Sequence, residues 1–228
     1  MPHKEAVSDC LNCPIRSVSI FAGFSTRDIE QLDIPVFTMR YDQGETFYRE
    51  GESPSAAFTI KAGVIKLLKE LPNGKTQIVR LLTTGDIFGF EGLMDTRYHH
   101  TAVTLNEAHV CRLKLADLVK VSHENPHVHE AILHRWAQAL QQTEALVIEL
   151  GTKKAHERVA SFLLNWCTHS GIDGWTPLPL TRQELAELLG LTVETVSRIL
   201  AEWKRKGMIE EKKGSVRISP ETDLYSNT

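Results

Sequence analysis

The chain is 228 residues long, 42% hydrophobic and 24% charged, the make-up of an ordinary globular protein with room for a sizeable core and two domains. Its formal net charge of -3 is unevenly divided: residues 1–152 hold 15 Lys and Arg against 19 Asp and Glu, whereas residues 153–228 hold 11 against 10. No apolar run reaches the length of a spanning helix, and Lys4, Glu5, Ser8 and Asp9 do not form a signal-peptide core, so a membrane or secreted protein is argued against and a cytoplasmic location expected.

In chain order, the first twenty residues carry little pattern beyond Cys10-Leu11-Asn12-Cys13. Ser25 and Asp28 open a short helix expected to run through Leu32. From Phe37 to Leu113 the texture changes to short β-rich runs: Thr46 to Arg49, Phe58 to Ala62, Val64 to Leu68, Gln77 to Leu82, Thr101 to Leu105 and Ala108 to Leu113. Glycines punctuate these runs, and Pro72-Asn73-Gly74-Lys75 is a strong hairpin turn. Strands at this spacing predict an antiparallel barrel or sandwich.

Asn125-Pro126 caps the next helix, since proline fits the first helical position, where no amide donor is needed. The helix runs towards Gly151. Leu133, Trp136, Leu140, Thr143, Val147 and Leu150 fall at alternating steps of three and four, a heptad seam. That spacing predicts a dimer interface; packing against the chain's own barrel is the alternative. A further helix is expected from Ala155 to Cys167, with Val159, Phe162, Leu163 and Trp166 inward, and residues 171–179 connect it to a last, strongly helical stretch.

That stretch, from Leu180 to Leu200, reads as helix, tight turn and helix. Thr181 with Glu184 makes a capping box, and Leu185, Leu188 and Leu189 recur at helical spacing. Ala186 leaves room for a crossing helix. Gly190 ends the first helix and Thr192 caps the second, whose buried face is Val196, Ile199, Leu200 and Trp203. Its other face displays Val193, Glu194, Ser197 and Arg198, side chains able to touch base edges in a major groove. Beyond Gly207, Met208-Ile209 and Val216-Ile218 flank Lys212-Lys213-Gly214 as a hairpin wing. Lys153, Lys154, Arg182, Arg198, Lys204, Arg205, Lys206, Lys212 and Lys213 gather around these elements, where they can neutralise phosphates; a solvated basic face is the plainer alternative.

These residues resemble the cyclic-AMP-receptor and fumarate-nitrate-reduction (CRP/FNR) regulators over nearly the whole chain. The resemblance is carried by the glycine-punctuated β-roll, by Gly85-Asp86-Ile87-Phe88-Gly89-Phe90, by the heptad helix, and by residues 189–198, Leu-Gly-Leu-Thr-Val-Glu-Thr-Val-Ser-Arg, which look specifically like the oxygen-responsive branch. It implies an α+β protein: a cysteine-containing segment at 1–20, a cyclic-nucleotide-binding-like β-roll at 21–122, a dimerisation helix at 123–152 and a winged helix-turn-helix at 153–228. It also implies a homodimeric transcription regulator, an activator, with double-stranded DNA and RNA polymerase as partners. Thr181, Arg182, Thr192, Val193, Glu194, Ser197, Arg198 and Lys213 would contact DNA. The half-site implied is TTGAT with an inverted ATCAA, because Val193 and Ser197 replace an arginine and a glycine of the cyclic-AMP branch; Arg198 suits guanine, Glu194 cytosine and Val193 a thymine methyl.

Two departures bear on the signal. Cyclic-nucleotide binders of this fold carry a glutamate where Phe90 stands and Arg-Ser where His100-Thr101 stand, and a neutral histidine is a poor substitute for a bidentate guanidinium. This argues against cyclic AMP. The oxygen-sensing branch holds an iron-sulfur cluster on four cysteines; Cys10, Cys13 and Cys111 match three, and Ser19 takes the place of the fourth. Three readings stay open: a labile cluster with Asp9 or Ser19 as an oxygen ligand, a thiol-disulfide switch, or thiols without a role in a constitutive dimer. An oxygen or redox response is the expectation, with haem, nitric oxide or cyclic nucleotide as other small-ligand signals. Thr143 stands where family oxygen sensors carry an aspartate in the dimer seam, so dimerisation is expected irrespective of oxygen. Cys167 reads as an inert core thiol. The ten histidines form no strong ligand motif, and with no nucleophile–base pair and no βαβ pattern beside Cys10-x-x-Cys13, no enzyme is expected.

Overall fold

The computed structural model describes residues 3–19, 21, 22, 24–31, 34–169, 174–220, 224 and 225. Its elements are strand β1 (His3–Val7), helix α1 (Thr26–Gln31), then β2 (Phe37–Tyr41), β3 (Thr46–Tyr48), β4 (Ala56–Ala62), β5 (Ile65–Glu70), β6 (Thr76–Leu82), β7 (Ile87–Phe88), β8 (Thr101–Thr104) and β9 (Ala108–Lys114). Helices α2 (Leu115–Glu124), α3 (Pro126–Thr152) and α4 (Ala155–Trp166) come next, then β10 (Thr176–Pro177), α5 (Arg182–Leu189), α6 (Val193–Arg205), β11 (Ile209–Lys212) and β12 (Ser215–Ile218). The α+β class is as expected. Two compact units result, Met1–Pro72 with Val79–Gln142, and Asn73–Ile78 with Thr143–Thr228.

The first unit is a roll of two antiparallel sheets, ordered β1-β2-β9-β4-β7 and β3-β8-β5-β6. Alternating side chains from both sheets, among them Tyr48, Phe58, Ile60, Ile65, Leu82, Phe88 and Val110, meet in one core. Tyr48 stacks on Tyr98 at 3.7 Å between ring centroids. Gly89 is needed for its conformation and its space: φ is +79°, and an added Cβ would lie 2.8 Å from the Ala56 carbonyl oxygen. A second core joins β9 to α1, α2 and the start of α3 through Phe21, Ile29, Leu113, Leu118, Val128 and Ile132.

Several elements differ from the sequence expectations. β1, β7 and α2 have no run long or periodic enough to announce them. The long helix starts at Pro126, as the Asn125-Pro126 cap requires, and Asn125, held extended (φ -128°, ψ 108°) by the proline after it, separates α2 from α3. The strand expected through Arg49 stops at Tyr48, and α4 stops at Trp166, Cys167 opening a single 3-10 turn. Phe162 and Trp166 are half-buried and stacked on each other, whereas Val159, Ala160, Ser161 and Leu163 are the buried residues of α4. The end of the first helix at Leu32 and residues 171–173 of the connection lie outside the described residues.

Candidate nucleic-acid interface

The site is assembled by local rules on α5, α6 and the β11–β12 hairpin. At the start of α5 the Thr181 hydroxyl accepts from the Glu184 backbone N–H at 3.2 Å, and the Glu184 carboxylate accepts from the Thr181 N–H at 2.8 Å, closing the capping box. Gly190 ends the helix in the left-handed region (φ 61°, ψ 40°), which a Cβ would strain, and three residues later the chain enters α6 with the Thr192 hydroxyl accepting from the Thr195 N–H. Val196, Ile199, Leu200 and Trp203 are at most 1% exposed; truncating such an aromatic costs about 3–5 kcal/mol. They fix the rotation of α6 about its axis, so the opposite face is presented to solvent.

On that face Thr192, Glu194 and Arg198 are exposed, and Val193, Thr195 and Ser197 half-exposed. Glu194 lies below its ordinary carboxylate pKa because its own backbone N–H and the Thr192 hydroxyl bond it, so it is an anion that accepts but does not donate. Lys213 and Gly214, at φ 47° and 74°, make the two-residue turn of the wing, leaving Lys212 and Lys213 exposed at its tip. Every predicted DNA-contact residue therefore belongs to one unit. Arg182 occupies the first turn of α5 and is paired with Glu211 of β11, as is Lys204 of α6 at 3.1 Å. Glu211 is not visible from sequence patterning as a site residue; its one signal is an acidic pair, Glu210-Glu211, inside a basic stretch.

The predicted dimer residues lie on α3. Leu133, Trp136, Leu140 and Val147 are 49%, 36%, 60% and 64% exposed, and Ile148, outside the expected seam, is 60% exposed. Thr143 is exposed and Leu150 half-buried. Val128 and Ile132, on the other face, are buried in the β-roll unit. In the C-terminal unit the Arg158 guanidinium donates to the carbonyls of Leu150, Lys153 and Leu189 at 2.5, 2.9 and 3.2 Å, joining the last turns of α3 and α5 to α4.

Cys111 of β9 is buried, with Sγ 3.6 Å from the Ser8 hydroxyl. Burial, then the neighbouring Cys111 and Cys13, push the Cys10 thiol up to about 11; burial raises Cys111 too. Cys10 packs against the core that contains Cys111, and burial holds both as neutral thiols. Both oxygen donors considered as a fourth ligand are engaged: Ser19 donates to the Arg16 carbonyl and accepts from the Phe21 N–H, and the Asp9 carboxylate accepts from Leu11 and Asn12. Among the described residues no group of three His, Cys, Asp or Glu has metal-holding geometry. This donor set does not fit a four-iron cluster, which wants four thiolate-like ligands. Cys167 is buried and its thiol raised by burial.

A cavity of about 220 Å³ in the β-roll unit is lined by Arg80, Glu91, His100, Arg135 and Gln142 among others. Burial acts to raise the Glu91 carboxyl, but His100, its own backbone N–H and His99 draw it below its ordinary value. His100 Nδ1 stands 3.9 Å from Glu91, too far for a hydrogen bond. Arg80 donates to Gln142 at 2.9 Å, and Arg135 donates to the Val18 and Ser19 carbonyls. A cyclic phosphodiester here would meet the Glu91 carboxylate, and Glu91 Oε1 and His100 Nδ1 are buried without a hydrogen-bond partner.

Comparison with known proteins agrees with this division. Residues 38–125 match the model of the cyclic nucleotide-binding domain, and residues 157–224 that of the Crp-like helix-turn-helix domain. The chain is 29% identical to the nitrogen fixation regulation protein FixK of Bradyrhizobium diazoefficiens, over 92% of this chain and 89% of that one. It is 26% identical to the fumarate and nitrate reduction regulatory protein of Escherichia coli, over 89% and 83%. Among solved structures, FixK2 from Bradyrhizobium japonicum superposes with a TM-score of 0.76 at 27% identity, covering 84% of this chain and 96% of that one. These relatives are regulators, and no helix among the described residues is long and apolar enough to cross a membrane.

Proposed function

Since the chain belongs to the CRP/FNR family of DNA-binding transcription regulators, we propose that it acts as a homodimer on a palindrome of TTGAT and inverted ATCAA half-sites, as an activator engaging RNA polymerase. The observation that carries this reading is the α6 face: Glu194 and Arg198 stand exposed on a helix whose rotation is fixed by Val196, Ile199, Leu200 and Trp203, beside the basic wing tip. Arg198 donates two hydrogen bonds to guanine, Glu194 accepts one from cytosine and Val193 contacts a thymine methyl. Thr181, Thr192 and Lys213 hold backbone phosphates, which sets register without reading sequence, and Arg182, paired with Glu211, lies beside the same path as a weaker contact. Dimerisation covers Leu133, Trp136, Leu140 and Val147, with Thr143 in the same seam, and brings two reading helices to successive half-sites.

The geometry of Cys10, Cys13 and Cys111 favours DNA binding that needs no iron-sulfur cluster, because the fourth ligand is missing and both substitutes are spent in local hydrogen bonds. A redox response through the thiols themselves is the second reading, supported by free Cys10 packing against the core that contains free Cys111. A gel-shift assay on the palindrome and a scrambled duplex, in air and under anaerobic reductant, tests both. Specific binding in both atmospheres supports the cofactor-independent dimer; binding confined to one supports the thiol reading; equal binding to both duplexes removes sequence-specific recognition.

A further inference from the structure

The wing carries two adjacent acidic residues with different neighbours. Glu210 and Glu211 lie on β11 and, by the alternation of a strand, point to opposite faces. Glu210 is 52% exposed and pairs with Arg217 at 2.7 Å. Glu211 is only 19% exposed and uses both carboxylate oxygens: Oε1 accepts from Arg182 and Oε2 from Lys204 at 3.1 Å. Those two cations come from different elements, the first turn of α5 and the last turn of α6, and Glu211 itself borders the groove that contains Thr181, Arg182, Lys212 and Lys213. Burial acts to raise the Glu211 carboxyl, but the two cations outweigh it and hold its pKa below the ordinary carboxylate value, so it stays charged at neutral pH.

A carboxylate in this position opposes DNA binding in two ways of the same sign. It holds Arg182 and Lys204 in an alternative partnership, and it places a negative charge beside the path of a phosphate backbone. Resting on the DNA-binding reading of this face, we propose that Glu211 is a positioning residue that clamps Arg182 and Lys204, lowering the sequence-independent part of DNA affinity and leaving discrimination to the α6 side chains. A weak phosphate grip suits a reader, since bound time on random DNA falls while base contacts are untouched.

The test is the salt dependence of binding by Glu211→Gln, Glu211→Ala and Glu210→Gln in the full chain, measured by fluorescence anisotropy on the palindrome and on a scrambled duplex. Freeing one further phosphate contact steepens the slope of log K against log salt by about 0.9, which corresponds to about eightfold tighter binding at about 0.1 M salt. Both Glu211 variants are expected to show this on both duplexes, with the ratio between duplexes unchanged. Glu210→Gln, with the same change in net charge, is expected to leave the slope as in the parent. An unchanged or shallower slope in the Glu211 variants overturns the proposal, as does an equal steepening in Glu210→Gln, which would assign the effect to net charge. Loss of native circular dichroism in both Glu211 variants assigns the residue to the wing's structure and also overturns it. Failure of the parent to bind either duplex defeats the DNA-binding reading itself, a distinct outcome.

Discussion

On α6, Glu194 and Arg198 stand exposed within one turn of buried Val196 and Ile199, and at the tip of the wing Lys213 is exposed as well. In the β-roll the side chains that would greet an effector are turned on their own surroundings: Arg80 on Gln142, Arg135 on backbone carbonyls, Asp9 on Asn12, Ser19 on Arg16. One unit presents hydrogen-bonding capacity outward, where DNA can use it; the other spends Arg135, Asp9 and Ser19 on the chain itself and keeps Glu91 Oε1 and His100 Nδ1 buried without a partner in its cavity. The output unit carries the family's helix-turn-helix, while in the input unit Phe90, His100 and Ser19 stand where the resemblance expects glutamate, arginine and cysteine.

Trp203→Ala leaves a cavity under α6 at a residue that is 0% exposed, and a loss of about 3–5 kcal/mol is expected in the C-terminal unit. Chemical denaturation followed by circular dichroism should show it, with DNA binding abolished while Tyr48, Phe58 and Phe88 keep the β-roll melting near its parent temperature.

The next effect concerns association. Leu140→Glu and Val147→Glu place charges where α3 exposes apolar side chains, each of which would contribute roughly 1.5–3 kcal/mol on full burial before ordering costs. Sedimentation should give a dimer for the parent at micromolar concentration in air and a monomer for either variant. A monomeric parent would sink the dimer reading.

Arg198→Ala comes third, with an expected loss of about 1–3 kcal/mol on the palindrome and a much smaller loss on scrambled DNA. Losses of equal size on both would show that Arg198 holds phosphates and reads no base.

Much of the C-terminal unit was legible because its signals are local. Thr181 to Glu184, Gly190, Thr192 and the Val196–Trp203 spacing each have one physical cause within a few residues, and the structure places every one where those causes require. The β-roll runs were legible as strands but not as sheets, since the pairing of β4 with β9 and of β2 with β9 joins residues tens of positions apart. The two-residue β7 was invisible, being shorter than any period. Glu211 was hidden for the same reason as the Ser19 and Asp9 hydrogen bonds: its role comes from Arg182 and Lys204, which the chain brings together only on folding.

The smallest effects belong to the cysteines. Because Cys10 titrates near 11 in the folded chain and near 9.0 when unfolded, the native state holds its proton more tightly. Its contribution to stability is complete below about pH 9 and is lost as pH rises towards 11. Stability measured by denaturant titration should be insensitive to this group at neutral pH and decline through that alkaline window, a decline that Cys10→Ser should diminish. Iodoacetamide should label Cys10 and Cys111 slowly at neutral pH compared with the denatured chain.

Cys13→Ala and Cys111→Ala should bind the palindrome like the parent in either atmosphere; a parent whose binding responds to air, with the response lost in both variants, would favour the thiol reading.

The most direct measurement of the central claim is equilibrium binding of purified protein to the TTGAT–ATCAA palindrome and to a scrambled duplex, by fluorescence anisotropy across a salt series. At least about a thousandfold preference for the palindrome is expected, with a steep loss of affinity with salt on both duplexes and the same preference whether the protein is prepared in air or anaerobically with iron and sulfide. Equal affinity for the two duplexes would contradict base reading by α6, and a preference that requires iron and sulfide would contradict the claim that the input unit holds no cluster.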